Sequence, residues 1–501
     1  MSPDGPRRPD VVVVVMDCAR ADVFRHEVDV GRRTPFLREL RQESVDFSGA
    51  VSPGSWTIPS HASLFTGLYP WDHDAHYRSG TTLPQEHDTL ASYLGRSGYA
   101  TASFSANGYI QPAAGLTRGF EESCWGGDQE FFLRFLSKAA PTNPDLGGRE
   151  AAAFGRLPDS PKPSPFWNTA IALLSRYTSL WDGLNRVGAR FLGHPTSDLP
   201  LVAPWIEPRM ESWLTRLPPE RPAFVFVNLL EAHEPYLVDA GQPVSLRRWL
   251  TYLRDVQGEY VWVQGRWVPS EVEVARSRQR YACSFQAIDE RIRRIVGVLR
   301  RVGRWENTFF FLTSDHGQAF LEHDTFYHRF RVDEELTRVP LWVRGPGVGR
   351  PGQSVDRWVS LIDIPRTVVG LVGGEGFGDP SARSLLERDA HLEDRVVYSM
   401  TEGMGPTEAN ELPAARRALL DRFELAAYRG PFKAVAKGPG TPTVVHASSG
   451  DPTAPLGPAA DDDGARAVAE LAREMFERAE ARIASAPARG SVLKRLAGWG
   501  Y

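Results

Sequence analysis

The chain has 501 residues and a formal net charge of −4, with 42% hydrophobic and 24% charged residues. That length predicts one large domain or two unequal ones, and the composition is ordinary for a globular protein. The charge gives no argument for binding to nucleic acid or to an anionic membrane. The three scattered cysteines are too few for a disulfide framework, so a reducing cytoplasm is the simplest location.

The first buried element is predicted at residues 11–15, a run of five valines. Residues 1–10 are polar and contain prolines, which indicates a disordered leader. The valine run is shorter than the roughly 7–15 apolar residues of a signal peptide, and no window reaches the roughly 18 apolar residues of a spanning helix. It therefore predicts a strand buried on both faces, with Asp17 at the carboxyl end, where open α/β sheets carry their chemistry.

Helical and extended patterns alternate between residues 34 and 126. Helical patterns cover 35–43 and 90–97, and extended runs cover 45–51 and 100–104. This alternation predicts an α/β fold with a doubly wound, mostly parallel sheet flanked by helices.

A polar stretch inside this region turns into a short helix. Ser55 and Thr57 are residue types that cap helix N-termini, Pro59 suits the first turn, and Gly67 suits a left-handed C-terminus. A hydroxyl at a helix N-terminus lies in positive potential, which favours an alkoxide or a bound oxyanion. The alternative is that these residues only cap the helix.

Two segments fit the alternation less well, and we interpret 127–220 and 237–275 as variable insertions. The pattern at 166–191 predicts an amphipathic helix packed on the body of the protein. A lid over an apolar substrate or an interfacial helix is the alternative for that face.

A second apolar run, at 309–312, ends in polar residues that include Asp315 and His316. Like the valine strand, it predicts a buried strand that ends at the same edge of the sheet. Two carboxylates and an imidazole at one edge indicate a metal site. The alternative is that Asp17 and Asp315 cap the helices that come after them.

The pattern changes after residue 388. Short extended runs at 395–401, 423–428, 432–437 and 443–446 predict a small antiparallel sheet, and 461–484 predicts an amphipathic helix. We therefore divide the chain into a main α/β domain, 11–387, and a small C-terminal α+β subdomain, 388–501. No internal repeat and no nucleic-acid-binding module is found.

Taken in order, these segments resemble the sulfatase branch of the alkaline phosphatase superfamily. Residues 57–61, Thr-Ile-Pro-Ser-His, stand where sulfatases carry Cys-x-Pro-Ser-Arg, and residues 62–70 continue that pattern. Further matches are Gly119-Phe120 to a Gly-Phe turn, His233-Glu234-Pro235-Tyr236 to His-x-Pro-Tyr, and Ser314-Asp315-His316-Gly317 to the best-known sulfatase block.

The resemblance implies a site around one divalent cation, with a Thr57 alkoxide that attacks phosphorus or sulfur. The implied metal ligands are Asp17, Thr57, Asp315 and His316. The implied catalytic and substrate-binding groups, which would hold the non-bridging oxygens or protonate the leaving group, are Thr57, His61, His233 and His328, with Asn107 for binding.

Departures from the family pattern refine this expectation. Cys18 stands where sulfatases usually have a second Asp, and His316 stands where many have Asn. Fewer carboxylates and one imidazole favour Zn²⁺ or Mn²⁺ over Ca²⁺. Thr57 replaces the residue that sulfatases oxidise to formylglycine, and His61 replaces the Arg of the modification motif. These changes favour phosphodiesters or phosphonate monoesters over sulfate esters.

Three functions remain open from the sequence. The first is a cytoplasmic hydrolase of phosphate, phosphonate or sulfate esters, acting on a small-molecule, lipid or glycan substrate. The second is a transferase that passes a phospho group from Thr57 to an acceptor. The third is a non-catalytic binding protein on this fold. The sequence does not indicate the oligomeric state.

Overall fold

The computed structural model describes residues 7–125, 203, 205–234, 236, 262–263, 265–349, 351–387, 394–403, 412–420, 422–438, 443–447, 457–458 and 463–485. The insertion helix predicted at 166–191 and most of the two predicted insertions lie outside these residues.

Fifteen strands are found in the described part of the chain. They are β1 Asp10–Met16, β2 Val45–Val51, β3 Ala100–Ser105, β4 Glu122–Trp125, β5 Ala223–Leu229, β6 Thr308–Thr313, β7 Ala319–Phe320, β8 Phe326–Tyr327, β9 Leu341–Arg344, β10 Ser354–Ser360, β11 Val397–Thr401, β12 Glu424–Arg429, β13 Phe432–Ala436, β14 Val444–Ala447 and β15 Gly457–Pro458.

The α-helices of the same residues are α1 Ala21–Val30, α2 Pro35–Gln42, α3 Thr57–Thr66, α4 Pro70–His73, α5 Leu90–Arg96, α6 Ile206–Arg216, α7 Glu271–Arg301, α8 Glu334–Thr337, α9 Asp363–Leu371, α10 Ala414–Leu420 and α11 Asp463–Ser485.

The main sheet has eight strands in the order β10-β2-β9-β6-β1-β5-β3-β4. Its pairings are parallel except for those of β9, which runs antiparallel to both β2 and β6. The predicted doubly wound, mostly parallel sheet is therefore confirmed.

The valine strand β1 lies near the middle of this sheet. It pairs with β5 on one side and with β6 on the other, so Val15 is opposite both Asn228 and Thr313. The five valines are at most 1% exposed. Burying a valine side chain stabilises the fold by about 1.5–3 kcal/mol, and the run therefore anchors both halves of the core.

Helices cover both faces of the sheet. Val12 and Val14 pack in the same core cluster as apolar residues of α1, α2, α6 and α7. Val11, Val13 and Val15 pack in a second cluster with apolar residues of α3, α5 and α9. Alternate side chains of one strand therefore supply two cores, as expected for a strand buried on both faces.

The predicted small C-terminal sheet is also confirmed. Strands β11 to β15 form an antiparallel sheet, and α11 packs against it through side chains that include Val468, Ala472 and Phe476. The division into two domains remains a prediction, because β11 also contacts the main domain, where the N–H of Met400 donates to the carbonyl of Pro53 at 2.9 Å.

Helix α7 begins at Glu271, where Ser270 and Glu273 form a reciprocal capping box. Strand β10 ends at Ser360, and α9 begins at Asp363. One predicted boundary differs from the observed one. Asp10, assigned to the leader, is the first residue of β1, where its buried carboxylate lies 3.0 Å from Nη1 of Arg304.

Among the described residues, no helix has the length and apolar character needed to cross a membrane.

Gly119, in the predicted Gly-Phe turn, provides a test of the packing between α5 and β3. Its φ is +92°, and a Cβ there would lie 2.2 Å from the backbone N of Ser92. Gly303 has φ +69° with nothing within 4 Å, which makes it a matched control. We expect Gly303→Ala to lower the free energy of unfolding by about 1–2 kcal/mol. Gly119→Ala should lower it further. Urea denaturation followed by tryptophan fluorescence measures both, and equal losses would contradict this account.

Candidate active site

The neighbouring strands β1 and β6 deliver two buried carboxylates to one edge of the sheet. Asp17 comes directly after β1 and Asp315 lies just beyond β6, with 0% and 1% of their surface exposed. Oδ1 of Asp315 accepts the backbone N–H groups of His316 at 2.9 Å and Cys18 at 3.3 Å. The sequence prediction that the two strands meet here is confirmed.

The ring of His316 is oriented by its own backbone. Its Nδ1 lies 2.9 Å from the carbonyl of Gly317, which places the proton on Nδ1 and the lone pair on Nε2. Nε2 lies 3.3 Å from Oδ2 of Asp315, 3.5 Å from Oγ1 of Thr57 and 3.7 Å from Oδ1 of Asp17. Oxygen atoms of the other three predicted metal ligands therefore lie within 3.7 Å of Nε2 of His316.

The electrostatics of this point favour a cation. Oδ2 of Asp315 is buried and has no hydrogen-bond partner. Burial, followed by the negative charge of Asp17, raises the pKa of Asp315 well above its ordinary value. Burial also lowers the pKa of His316 to about 4, so its imidazole is neutral. Two close carboxylates and a neutral imidazole fit a divalent cation. Such a cation would offset the repulsion between Asp17 and Asp315 and give Oδ2 of Asp315 a partner.

Thr57 is the first residue of α3, a helix whose residues are all buried. The predicted capping by Ser55 or Thr57 is wrong: the N-cap is Trp56, and no side chain caps the helix. The Ser55 hydroxyl instead donates to the carbonyl of Arg329, and the Thr57 hydroxyl lies 3.5 Å from Nε2 of His316 and from Nδ2 of Asn107. The helix ends at Gly67 with φ +71°, as predicted. The nucleophile candidate therefore lies at the positive end of a buried helix dipole.

Two amides hold the other oxygen of Asp17. Nδ2 of Asn107 donates to Oδ2 of Asp17 at 2.7 Å and lies 3.5 Å from Oγ1 of Thr57. Nδ2 of Asn228 lies 3.3 Å from the same carboxylate oxygen. Burial would raise the pKa of Asp17, but the facing imidazoles and the Asn107 amide lower it below its ordinary value. Sequence analysis missed Asn228, although a lone amide in the apolar strand β5 was the available signal.

His61 lies one helical turn below Thr57, and its side chain is fully buried. Its Nδ1 is 2.8 Å from the carbonyl of Thr57, and its Nε2 is 3.4 Å from Nδ2 of Asn228. Burial lowers the pKa of the imidazole, which is therefore neutral. These contacts are those of a residue that positions Thr57 and Asn228. Its predicted role as a substrate donor stays a prediction.

His233 and His328 lie together on the Cys18 side of the site, with ring centroids 5.2 Å apart. Burial, followed by the positive charges nearby, lowers the pKa of His328 well below its ordinary value. The ring of His328 is also 4.6 Å from that of His316, so the predicted histidines do converge on the metal-ligand side. Their predicted roles stay predictions.

Sequence analysis also missed Glu234 and Gln318, which support these rings. Nδ1 of His328 lies 3.1 Å from Oε1 of Gln318, and Nε2 of Gln318 donates to Oε2 of Glu234 at 2.9 Å. Glu234 comes directly after His233 in the His-Glu-Pro-Tyr motif, which was the available signal. No sequence signal pointed to Gln318, because only the fold brings the segment before β7 beside that motif.

Comparison with known proteins identifies the family. The model of the family named Sulfatase matches residues 9–146 and 202–374, more than half of the chain. The chain belongs to the sulfatase family. Members of this family are metal-dependent hydrolases of ester bonds, and the chain is an enzyme of that class.

Individual relatives are distant. The chain is 24% identical to arylsulfatase K of Danio rerio over 398 residues, 76% of this chain and 67% of the relative. It is also 24% identical to a multifunctional alkaline phosphatase superfamily protein of Trinickia caryophylli, covering 76% of each. Among solved structures, the phosphonate monoester hydrolase of Agrobacterium radiobacter superposes with a TM-score of 0.64 at 19% identity, covering 95% of this chain and 96% of that one. This last likeness concerns the fold.

Substitution of the assigned cation ligands should lower the number of cations that the protein binds. Asp315→Asn and His316→Ala should each bind one equivalent of divalent cation fewer than the wild type, because both lose ligand atoms at the shared point. Asp289→Asn is the control, since Asp289 is also buried but bonds to the N-terminus of α2 at Leu37. Elemental analysis after dialysis measures the stoichiometry. Chelation should abolish turnover, and full activity of metal-free protein would contradict the assignment.

Proposed function

We propose that this enzyme hydrolyses phosphorus esters, namely phosphodiesters or phosphonate monoesters, with the Thr57 hydroxyl as nucleophile. The observation that carries the proposal is the position of Oγ1 of Thr57, 3.5 Å from both Nε2 of His316 and Nδ2 of Asn107 beside the carboxylate pair. Asp17, Thr57, Asp315 and His316 would hold a divalent cation, which would supply Lewis-acid stabilisation and lower the pKa of that hydroxyl.

The protein residues keep this nucleophile in one orientation. His61 contacts the Thr57 carbonyl at 2.8 Å and thereby fixes the first turn of α3. Asn107 and Asn228 hold the carboxylate of Asp17. Because each of these groups is buried, the hydroxyl can be oriented without competition from bulk water.

His233 and His328 are the proposed partners of the substrate's non-bridging oxygens. They lie on the Cys18 side of the site, where the side chain of His233 is 24% exposed and His328 is buried. Negative charge grows on those oxygens during the attack, so a fixed positive or donor group there stabilises the transition state. His233 also meets the requirement for a proton donor to the leaving group, since it reaches solvent.

The choice of phosphorus over sulfur rests on the chemistry of Thr57. Oxidation of a threonine gives a ketone, whereas formylglycine is an aldehyde whose hydrate can expel sulfate by elimination. An ester on unmodified Thr57 has no such route and must be cleaved by a second attack. Phosphorus tolerates this attack more readily than a stable alkyl sulfate does. The names of the relatives, an arylsulfatase and a phosphonate monoester hydrolase, fit either element.

Thr57 is therefore expected to remain unmodified in the active enzyme. Peptide mass spectrometry should find threonine at position 57. Thr57→Val keeps the shape and removes the hydroxyl, and it should lose turnover by on the order of 10³-fold or more, with the fold unchanged by circular dichroism. Thr57→Ser should retain turnover as the matched variant. A modified residue at this position would overturn the proposed mechanism.

The substrate preference has a separate test. Aryl phosphodiesters and phosphonate monoesters should be turned over with a higher kcat/KM than aryl sulfates that share the same leaving group. A panel with one leaving group isolates the reacting centre, because leaving-group reactivity is then constant. A higher kcat/KM for sulfate esters than for every phosphorus substrate would show the preference to be wrong.

A further inference from the structure

A second cluster of metal-ligating side chains lies beside the carboxylate pair. Cys18, His233, Glu234 and His328 each offer a ligand atom, and these atoms all lie within 4.8 Å of one another. Four ligand residues therefore converge, and three of them are buried.

The composition of this cluster indicates the kind of cation. A thiol, two imidazoles and one carboxylate form the soft to borderline set that selects Zn²⁺ rather than Ca²⁺ or Mg²⁺. Tetrahedral bonds of about 2.0–2.3 Å separate neighbouring ligands by about 3.3–3.8 Å. The ligand atoms of the cluster lie within 4.8 Å of one another, which is wider than this, so the side chains would have to move inward to complete the coordination shell.

Both histidines show the outer contacts typical of metal ligands. Nδ1 of His233 lies 2.9 Å from the carbonyl of Glu234, and Nδ1 of His328 lies 3.1 Å from Oε1 of Gln318. Gln318 is itself fixed, because its Nε2 donates to Glu234 and, at 2.7 Å, to the hydroxyl of Tyr236. A ring nitrogen that donates to an oxygen in this way orients the ring and makes the other nitrogen a better ligand.

The backbone around the cluster is held in an unfavourable conformation. Cys18 has φ +63°, Tyr236 has φ +59°, and the two neighbours of His328, Tyr327 and Arg329, have φ +73° and +100°. Left-handed backbone costs a non-glycine residue roughly 1–2 kcal/mol. Four such residues within or close to the ligand segments indicate that the fold maintains this arrangement against a local energetic cost, as functional sites do.

We propose that Cys18, His233, Glu234 and His328 bind a second divalent cation, of the Zn²⁺ class, next to the site assigned to Asp17, Thr57, Asp315 and His316. The resemblance to sulfatases implied one cation, and the second site is argued from these four residues alone. The two sites adjoin at Cys18, whose Sγ also lies within 4.8 Å of ligand atoms of Asp17 and His316.

The catalytic consequence rests on the proposed function. A cation on His233 and His328 would face the non-bridging oxygens and provide the positive charge that we assigned to these residues. It would replace direct donation by the two rings, and His233 would then not be the proton donor to the leaving group. Two adjoining cations are the usual arrangement for clamping both ends of an in-line displacement at phosphorus.

Metal reconstitution of the full chain tests the site. Protein freed of metal by chelation is titrated with Zn²⁺ and, separately, with Co²⁺. We expect two equivalents of either metal in the wild type and a thiolate-to-Co²⁺ charge-transfer band in the near ultraviolet. Cys18→Ser and His328→Ala should each bind one equivalent, and Cys18→Ser should lose the band. Cys283→Ser, a partly buried cysteine on α7, is the control and should behave as the wild type.

Several outcomes would overturn the second site. They are a single equivalent in the wild type, no charge-transfer band, or two equivalents retained in both Cys18→Ser and His328→Ala. The first two need no variant, so a misfolded variant does not remove the test. Asp315→Asn should lose the other equivalent and keep the thiolate band. If the band disappears in Asp315→Asn while one equivalent remains, Cys18 binds the first cation and the proposed second site is wrong.

This measurement is independent of the proposed reaction. Two equivalents with no turnover of any phosphorus ester would support the second site and contradict the proposed function. Turnover of phosphodiesters by protein that binds one equivalent of metal would support the proposed function and contradict the second site.

Discussion

The burial of two carboxylates at adjacent strand ends is the constraint on which this structure depends. Asp17 and Asp315 are withdrawn from water at the ends of β1 and β6, and parallel pairing of the two strands fixes their separation. Unpaired buried charge of this kind is strongly unfavourable, so the surrounding groups must compensate. Backbone N–H groups, two amides and one imidazole do so in part. A divalent cation bound between them would complete the compensation, and the family to which the chain belongs is metal-dependent.

Hydrogen bonds fix the segment that carries Thr57 against this carboxylate pair. The Ser60 hydroxyl in α3 donates to the carbonyl of Asp315 at 2.6 Å, which fixes the helix against β6. The backbone N–H of Arg329 donates to the carbonyl of Ser55 at 3.0 Å, which joins the His328 segment to the loop before the helix. The hydroxyl of Thr57 and the ring of His328 are therefore positioned by one connected set of hydrogen bonds. Substitutions at Ser60 would move the nucleophile although Ser60 does not face the reacting atoms.

The imidazoles divide the site into two chemical halves. His316 adjoins the carboxylates, where oxygen ligands dominate. His233 and His328 adjoin Cys18, where sulfur and nitrogen dominate. His61 lies under the carboxylate half, since its Nδ1 is 2.8 Å from the Thr57 carbonyl and 3.5 Å from Oδ2 of Asp315, and its Nε2 is 3.4 Å from the Asn228 amide. The four histidines therefore have different surroundings, and the difference lies in the groups that their ring nitrogens contact.

The sequence by itself determined the fold class and most of the carboxylate site. A run of five valines between polar residues predicts a strand buried on both faces, and parallel neighbouring strands bring the residues at their carboxyl ends to the same edge of the sheet. Asp17, Asp315 and His316 could therefore be grouped from pattern alone.

The tertiary structure decided the contacts of His61 and the N-cap at Trp56. It also brought Cys18, Glu234 and Gln318 together. These contacts depend on which side of a helix or loop faces a segment far away in the chain, and local periodicity carries no information about that partner. Side-chain direction at left-handed residues such as Cys18 is equally invisible in the sequence, because only packing of the whole fold stabilises that backbone conformation.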